Sequence, residues 1–183
     1  MIGIIGQGFV GNAVYQKFKR YEKVFTYDLQ KGKSNSTFDE LQQNSKIIFV
    51  CLPTPMNTDG SCNLKIVENV LHKLNKVGKY IIIIKSTVVP GTTKKWNETY
   101  KDLNIVFNPE FLTEANAITD YENQSRIILG GKRPATTKLK PLFAKIFPRA
   151  HIIKTDSTHA EMVKYITNTF LSVKVSYANQ IQK

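Results

Sequence analysis

The sequence predicts an α/β fold: a doubly wound, mostly parallel sheet with helices on both faces, followed by one long C-terminal helix. Three observations lead there. Short runs of β-branched residues, bounded by glycine, proline or asparagine, recur along the chain and are too apolar for strands with one wet face. Between them lie stretches with helical apolar spacing. A glycine-rich turn, Gly6-Gln7-Gly8-Phe9-Val10-Gly11, joins the first run to the first such stretch.

Residues 1–5 supply the first strand, and 10–20 a helix with Val14 and Phe18 on one face. A second strand spans 24–28. The turn-rich stretch 31–36 leads to a short helix from Thr37, where Thr37-Phe38-Asp39-Glu40 has capping-box spacing. A third strand, 47–52, is stopped by Pro53 and Pro55. Thr58-Asp59-Gly60 is a turn, and 64–75 a helix with Val67, Val70, Leu71 and Leu74 as its apolar side. The fourth strand, 80–84, ends before Val89-Pro90-Gly91, and a short helix covers 92–100. Further strands fall at 105–107, 127–129 and 152–153. Between the last two, 134–146 forms a helix entered through Pro134 and left before Pro148. From 157 to about 180 the chain reads as one helix with Met162, Ile166, Phe170 and Val173 on an apolar stripe. That helix either covers the sheet or begins an interdomain or dimer contact. The expected division is therefore 1–156 as one domain and 157–183 as the start of a further helical region.

Composition bounds the function class. A chain of 183 residues, 42% of them apolar, closes a core without disulfide or metal staples. Cys51 and Cys62 form no paired motif, and His72, His151 and His159 share no ligand spacing, so no metal site is expected. Cys51 reads as core filler and Cys62 as an exposed turn residue. Twenty-six Lys and Arg against fourteen Asp and Glu leave a formal charge of +12, which attracts anions of many kinds. Apart from Lys17, Lys19, Arg20 and Lys23 the basic residues are scattered, and no nucleic-acid-binding signature accompanies them, so no specific nucleic acid is expected. No apolar run approaches the roughly 20 residues of a membrane span, and a soluble, cytoplasmic protein is expected.

The glycine turn carries the clearest chemistry. GxGxxG directly after a strand and opening a helix is the Rossmann-type dinucleotide fingerprint. Gly6 permits the tight turn, Gly8 lets the backbone approach a pyrophosphate, and Gly11 lets helix and strand pack closely. Phe9 and Val10 belong to the same segment. Asp28 closes the second strand where a carboxylate would accept both hydroxyls of an adenosine ribose and repel a 2′-phosphate, which favours NAD over NADP. Lys31 and Lys33, just beyond, work against that preference, and Lys33 is counted with the cofactor residues.

Other candidates sit at later strand ends. The hydroxyls of Ser86 and Thr87 can hold a water, a substrate hydroxyl or a nicotinamide ribose, or simply cap a turn. Glu110 and Glu114 stand four apart after a strand. Glu110 is the better general-base candidate, whereas Glu114 suits the positive end of a helix. On the terminal helix Lys164 and Asn168 lie one turn apart, where a cation beside an amide could hold a developing oxyanion. The plain alternative is a Glu161–Lys164 helix pair with an exposed Asn168.

Several segments together resemble the N-terminal part of the UDP-glucose/GDP-mannose dehydrogenases. They are MIGIIGQGFVG at 1–11, Asp28, VCLPTP at 50–55, KSTVVPGTT at 85–93, NPEFLTEANAITD at 108–120, RIILGG at 126–131 and AEMVKYITNTFLSVKVSYANQI at 160–181. The resemblance covers almost the whole chain in family order. It implies oxidation of the C6 alcohol of a UDP- or GDP-sugar to the uronate with two NAD, in polysaccharide-precursor biosynthesis. It further implies that Gly6, Gly8, Val10, Gly11 and Asp28 hold the adenosine diphosphate half of NAD, with Thr54 and Thr87 nearer the other ribose. Thr87 would position the catalytic water, and Glu110 would be the base for thioester hydrolysis. Phe111, Leu112 and Glu114 would line the sugar and phosphate site, and Lys164 and Asn168 would stabilise charge on the C6 oxygen. The family's cysteine lies in a GFGGxCxPKD-like segment, and nothing like it occurs in these 183 residues. The expectation is thus a chain that binds NAD without completing turnover, truncated before the catalytic cysteine and the nucleotide-sugar-binding region. A partner through the 160–181 helix, as a homodimer or a missing domain, is the companion expectation. A naturally short partner subunit and a regulatory NAD-binding module are the alternatives.

Overall fold

A computed structural model describes residues 1–182. Seven strands and seven helices alternate along it: β1 (Ile2–Ile5), α1 (Phe9–Phe18), β2 (Val24–Tyr27), α2 (Phe38–Asn44), β3 (Ile47–Val50), α3 (Lys65–Asn75) and β4 (Tyr80–Ile84) come first. Then follow α4 (Thr92–Thr99), β5 (Leu103–Phe107), α5 (Ala117–Glu122), β6 (Arg126–Gly130), α6 (Arg133–Ile146), β7 (His151–Thr155) and α7 (Ser157–Ile181). The strands form one sheet in the order β2-β1-β3-β4-β5-β6-β7. All neighbours pair in parallel except β5 and β6, which meet antiparallel at Phe107 and Gly130. The expected doubly wound, mostly parallel sheet is what forms.

Strands β1, β3, β4, β5 and β6 are largely buried on both faces, which is why they read as apolar runs, whereas the edge strand β7 stays mostly exposed. On one face α1, α5 and α6 press Val14, Phe18, Tyr121, Leu139 and Phe143 onto Ile4, Phe49 and Val106. Phe18 makes edge-on contacts with Phe49, Phe143 and Phe147 at ring distances of 4.9, 5.9 and 6.3 Å. On the other face α2, α3, α4 and α7 bring Leu41, Val67, Leu71, Trp96 and Ala160 onto Ile48, Ile82 and Ile105. The capping box of α2 is made as its spacing predicts: Thr37 Oγ1 accepts from Glu40 N at 3.2 Å, and Glu40 Oε2 accepts from Thr37 N at 2.8 Å.

Two departures from the sequence expectations have physical causes. Helix α5 was hidden because it is six residues long and anchored by only Ala117 and Tyr121, too few apolar positions to show a period. Helix α6 forms over the expected stretch and runs through Pro141, which is exposed and costs one backbone bond without breaking the helix. The terminal helix buries Ser157, Ala160, Glu161 and Lys164 rather than its apolar stripe. Ala160 docks so closely that a Cβ on Gly130 would stand 2.3 Å from its methyl. The stripe of Met162, Ile166, Phe170 and Val173 stays 43, 58, 61 and 64% exposed, so α7 covers the sheet only with its first turns.

The topology fixes where a ligand can sit. The neighbours of β1 are β2 on one side and β3 on the other, so successive connections leave its C-terminal end in opposite directions and open a crevice there. Because β6 is antiparallel to β5, its Arg126 end lies at this same edge of the sheet.

Candidate functional site

A cavity of about 1220 Å³ runs along the C-terminal ends of β1 to β4. Its first end is built from the glycine turn and the end of β2. Asp28 Oδ2 accepts from Gln7 N at 2.6 Å, and Oδ1 accepts from Gln30 N at 2.8 Å. The carboxylate is thus oriented by two backbone donors while it lines the cavity. Lys33 is exposed on the same wall.

The glycines divide by task. Gly6 adopts φ +93°, and a Cβ on Gly11 would lie 1.8 Å from Gly6 O, so both are required by the chain's own packing. A Cβ on Gly8 would meet nothing within 4 Å. Its bare backbone faces the cavity beside Phe9 and Val10. Helix α1 starts there with no side-chain cap, leaving first-turn N–H groups unpaired for an anion. Residues that meet a pyrophosphate with backbone donors and a ribose with a carboxylate fit a dinucleotide.

The far end is assembled from loops after β3, β4 and β5 together with α7. Cys51, Thr54, Lys85, Thr87 and Glu110 line it. Thr54 Oγ1 donates to Thr87 O at 2.7 Å, tying two loops together. Ser86 Oγ accepts from Leu52 N at 3.0 Å, which orients that hydroxyl, and Ser86 and Thr87 both border the space. Glu110 Oε1 and its backbone carbonyl each accept from Lys164 Nζ at 2.7 Å, and Glu110 Oε2 accepts from Leu112 N at 2.8 Å. The Glu110 and Lys164 side chains are only 10 and 7% exposed, so the ion pair is nearly dry. Phe111 lies beneath two cations, Arg126 at 4.9 Å and Lys164 at 5.8 Å from its ring centre. Leu112 packs against the core.

Glu161 does not pair with Lys164. Its carboxylate, fully buried, accepts from Gly91 N at 2.6 Å and Thr93 N at 2.8 Å, clamping α7 to the start of α4. Burial pushes its carboxyl above the usual carboxylate range. The clamp leaves Lys164, almost one turn on, facing Glu110. Asn168 and Glu114 are not brought to this cluster; both stand exposed, and neither lines the cavity. Gly11 supports the turn from below rather than lining it.

Cys51 packs against the core, and burial pushes its thiol up to about 12, which suits filler and not a nucleophile. Cys62 is half-buried rather than exposed. The chain folds back from Met56 to Cys62 in an isolated antiparallel bridge, and the thiol approaches Thr87 O at 3.9 Å. No group of residues suited to a metal ion occurs among the described residues. Lys85 was missed as a site residue. Its signal was a lysine closing an otherwise apolar strand end, where a charge is costly unless it has partners.

Residues 19–147 match the family described as the UDP-glucose/GDP-mannose dehydrogenase family, NAD binding domain. The match begins past the glycine turn, so the geometry of that turn speaks independently. A UDP-glucose 6-dehydrogenase of Campylobacter jejuni is 35% identical over 90% of this chain and 43% of its own length. A GDP-mannose 6-dehydrogenase of Pseudomonas putida is 30% identical over 84% of this chain and 40% of its own. Among solved structures, a ternary complex of GDP-mannose dehydrogenase from Pseudomonas aeruginosa aligns with a TM-score of 0.83 at 25% identity, over 98% of this chain and 52% of that one. A UDP-glucose dehydrogenase from Pyrobaculum islandicum shares the fold with a TM-score of 0.86 at 24% identity, over 98% and 51%. The chain therefore spans about half the length, or less, of the relatives it matches.

Proposed function

The chain belongs to the UDP-glucose/GDP-mannose dehydrogenase family and carries its NAD-binding domain, and on that premise we propose that it is the NAD-binding portion of a nucleotide-sugar dehydrogenase. The reaction served is oxidation of the C6 alcohol of a UDP- or GDP-sugar to the uronate with two NAD. The observation that carries this reading is one cleft with Asp28 at one end, the Glu110–Lys164 pair at the other and the uncapped start of α1 between them.

In this reading Asp28 receives the adenosine ribose hydroxyls, and the Gly8–Val10 backbone with the start of α1 receives the pyrophosphate. When bound, NAD supplies the hydride acceptor. Thr54 and Thr87 border the far end, with Thr87 placed to hold a water and Glu110 to take its proton. Lys164, now paired with Glu110, would turn its charge toward a developing C6 oxyanion, with Asn168 approaching from the next turn. Phe111, Leu112 and Glu114 would border the sugar and its phosphates. Four-electron oxidation also needs a covalent acceptor for the aldehyde, and Cys51, half-buried and with its thiol pushed up to about 12, does not serve as one. These 183 residues alone therefore bind NAD and do not complete turnover. Helix α7 would serve as a central helix, and its exposed stripe favours a second copy, a further domain or a partner chain there.

Fluorescence titration with NADH, repeated with NADPH and with Asp28→Ala, tests this. The expected pattern is NADH binding, weaker NADPH binding, and about tenfold loss in the variant, the worth of one good charged hydrogen bond. A folded chain that ignores NADH would end the cofactor reading. Sustained NADH production from UDP-glucose or GDP-mannose by these residues alone would end the claim of incompleteness.

A further inference from the structure

We propose that Lys85 discriminates between the redox states of the bound dinucleotide, opposing the cationic nicotinamide of NAD⁺ and favouring the neutral ring of NADH. The inference rests on the cofactor reading above and assigns a role to a residue that reading leaves unused.

The cleft has a direction. Asp28 marks its adenosine end and Gly8 its middle, so the connectivity of the dinucleotide carries the nicotinamide toward Cys51, Thr87 and Glu110. Lys85 lines that end from the close of β4 and is 3% exposed. Its Nζ donates to Asn108 Oδ1 at 3.0 Å and to Pro109 O at 3.5 Å, and stands 5.3 Å from the centre of the Tyr121 ring. Every one of these partners is uncharged.

The other ionisable groups around it do not cancel its charge. Glu110, after β5, is matched by Lys164 of α7 at 2.7 Å. Cys51, after β3, stays a neutral thiol because burial lifts it to about 12. Tyr121 of α5 is pushed well above its ordinary value, also by burial, and stays neutral. One net positive charge remains at the end of the cleft where the ring's own charge changes. Fixed charges in a partly dry site act over several ångströms with little screening. The ring is cationic in NAD⁺ and neutral in NADH, so Lys85 would repel the first and not the second. Lys85 would thereby favour hydride acceptance, which is the direction that oxidation of an alcohol requires.

Burial also pulls Lys85 down to about 8, so its charge can be titrated within a range where nucleotides survive. The experiment measures NADH affinity by fluorescence and NAD⁺ affinity by competition, for the wild type, Lys85→Met and Lys85→Arg, between pH 6.5 and 9. The expected result is a ratio of NAD⁺ to NADH dissociation constants that falls about fivefold in Lys85→Met and is retained in Lys85→Arg. In the wild type the same ratio falls as pH rises through about 8, and in Lys85→Met it is flat. Should Lys85→Met fail to fold, the wild-type pH series decides alone. An unchanged ratio in a folded Lys85→Met, or a pH-independent ratio in the wild type, overturns the proposal. A wild type that binds neither nucleotide removes the cofactor reading itself and this inference with it, a different result from binding without discrimination.

Discussion

The two ends of the cleft are built by opposite means. The Asp28 end is local: Gly6 to Gln30 supply the turn, the carboxylate and the donors that orient it, and those donors are backbone N–H groups. The Glu110 end is long-range. It joins Thr54, Lys85, Glu110 and Lys164 from four separate elements, through side chains that are mostly buried. A site made from backbone donors in a short segment tolerates side-chain changes around it. A site made from desolvated charges fails when one member is lost.

The largest expected effect follows from that difference. Lys164→Met removes the cation and leaves Glu110 nearly dry with only the Leu112 N–H as a partner. Breaking a buried pair from one side costs about 3 kcal/mol, read as a lower midpoint in urea unfolding. Asp28→Ala, at a half-buried position where Gln7 N and Gln30 N can turn to water, should cost only about 1 kcal/mol of stability while reducing NADH affinity. Equal destabilisation by the two substitutions would break the contrast.

Next in size is a test within the glycine turn. Gly11→Ala places a methyl 1.8 Å from Gly6 O, so α1 must move off β1. Overpacking of this kind costs about 2 kcal/mol, and the displaced turn should bind NADH poorly. Gly8→Ala meets no atom of the chain within 4 Å and should melt like the wild type. Its NADH affinity should nevertheless drop about tenfold or more, because the methyl occupies the approach to the backbone donors. A Gly8→Ala chain that binds normally would show that nothing comes close there.

The same contrast governs what the sequence made legible. Gly6, Gly8, Gly11 and Asp28 could be recognised because their spacing along the chain is their geometry in space. The sheet was legible because buried parallel strands are continuous apolar runs. The antiparallel β5–β6 pair was not, since a strand's direction depends on the path of the loop holding α5, and α5 is too short to show a period. At the other end, Glu110 and Lys164 were each visible, but their contact spans 54 residues and depends on how α7 docks. Glu161 sets that docking from a position where helical spacing suggests an ordinary Glu–Lys pair. Burying Ala160, Glu161 and Lys164 while exposing Met162 and Ile166 inverts the usual amphipathic rule. Only the acceptors and donors waiting on α4 and Glu110 explain the inversion.

The smallest expected effect is a pH signature confined to the far end. Lys85 holds its proton less tightly when folded, about 8, than an unfolded lysine near 10.4. Between those values the unfolded chain binds more protons than the folded one, so stability rises with pH. Cys51 acts in the opposite sense. Its thiol is raised to about 12, so an unfolded cysteine loses its proton first, and stability declines above the unfolded value near 8.5. The two slopes nearly cancel above about pH 9, which confines the gain to a narrow interval on either side of pH 8.5. A rise of no more than about 1 kcal/mol should appear there in urea unfolding. The rise should vanish in Lys85→Met and extend toward pH 10 in Cys51→Ala, where the opposing thiol is gone. A wild type whose stability falls steadily from pH 7.5 upward would mean that Lys85 keeps its proton as readily as a solvated lysine. Its charge would then be compensated by more than Asn108 and the Pro109 carbonyl.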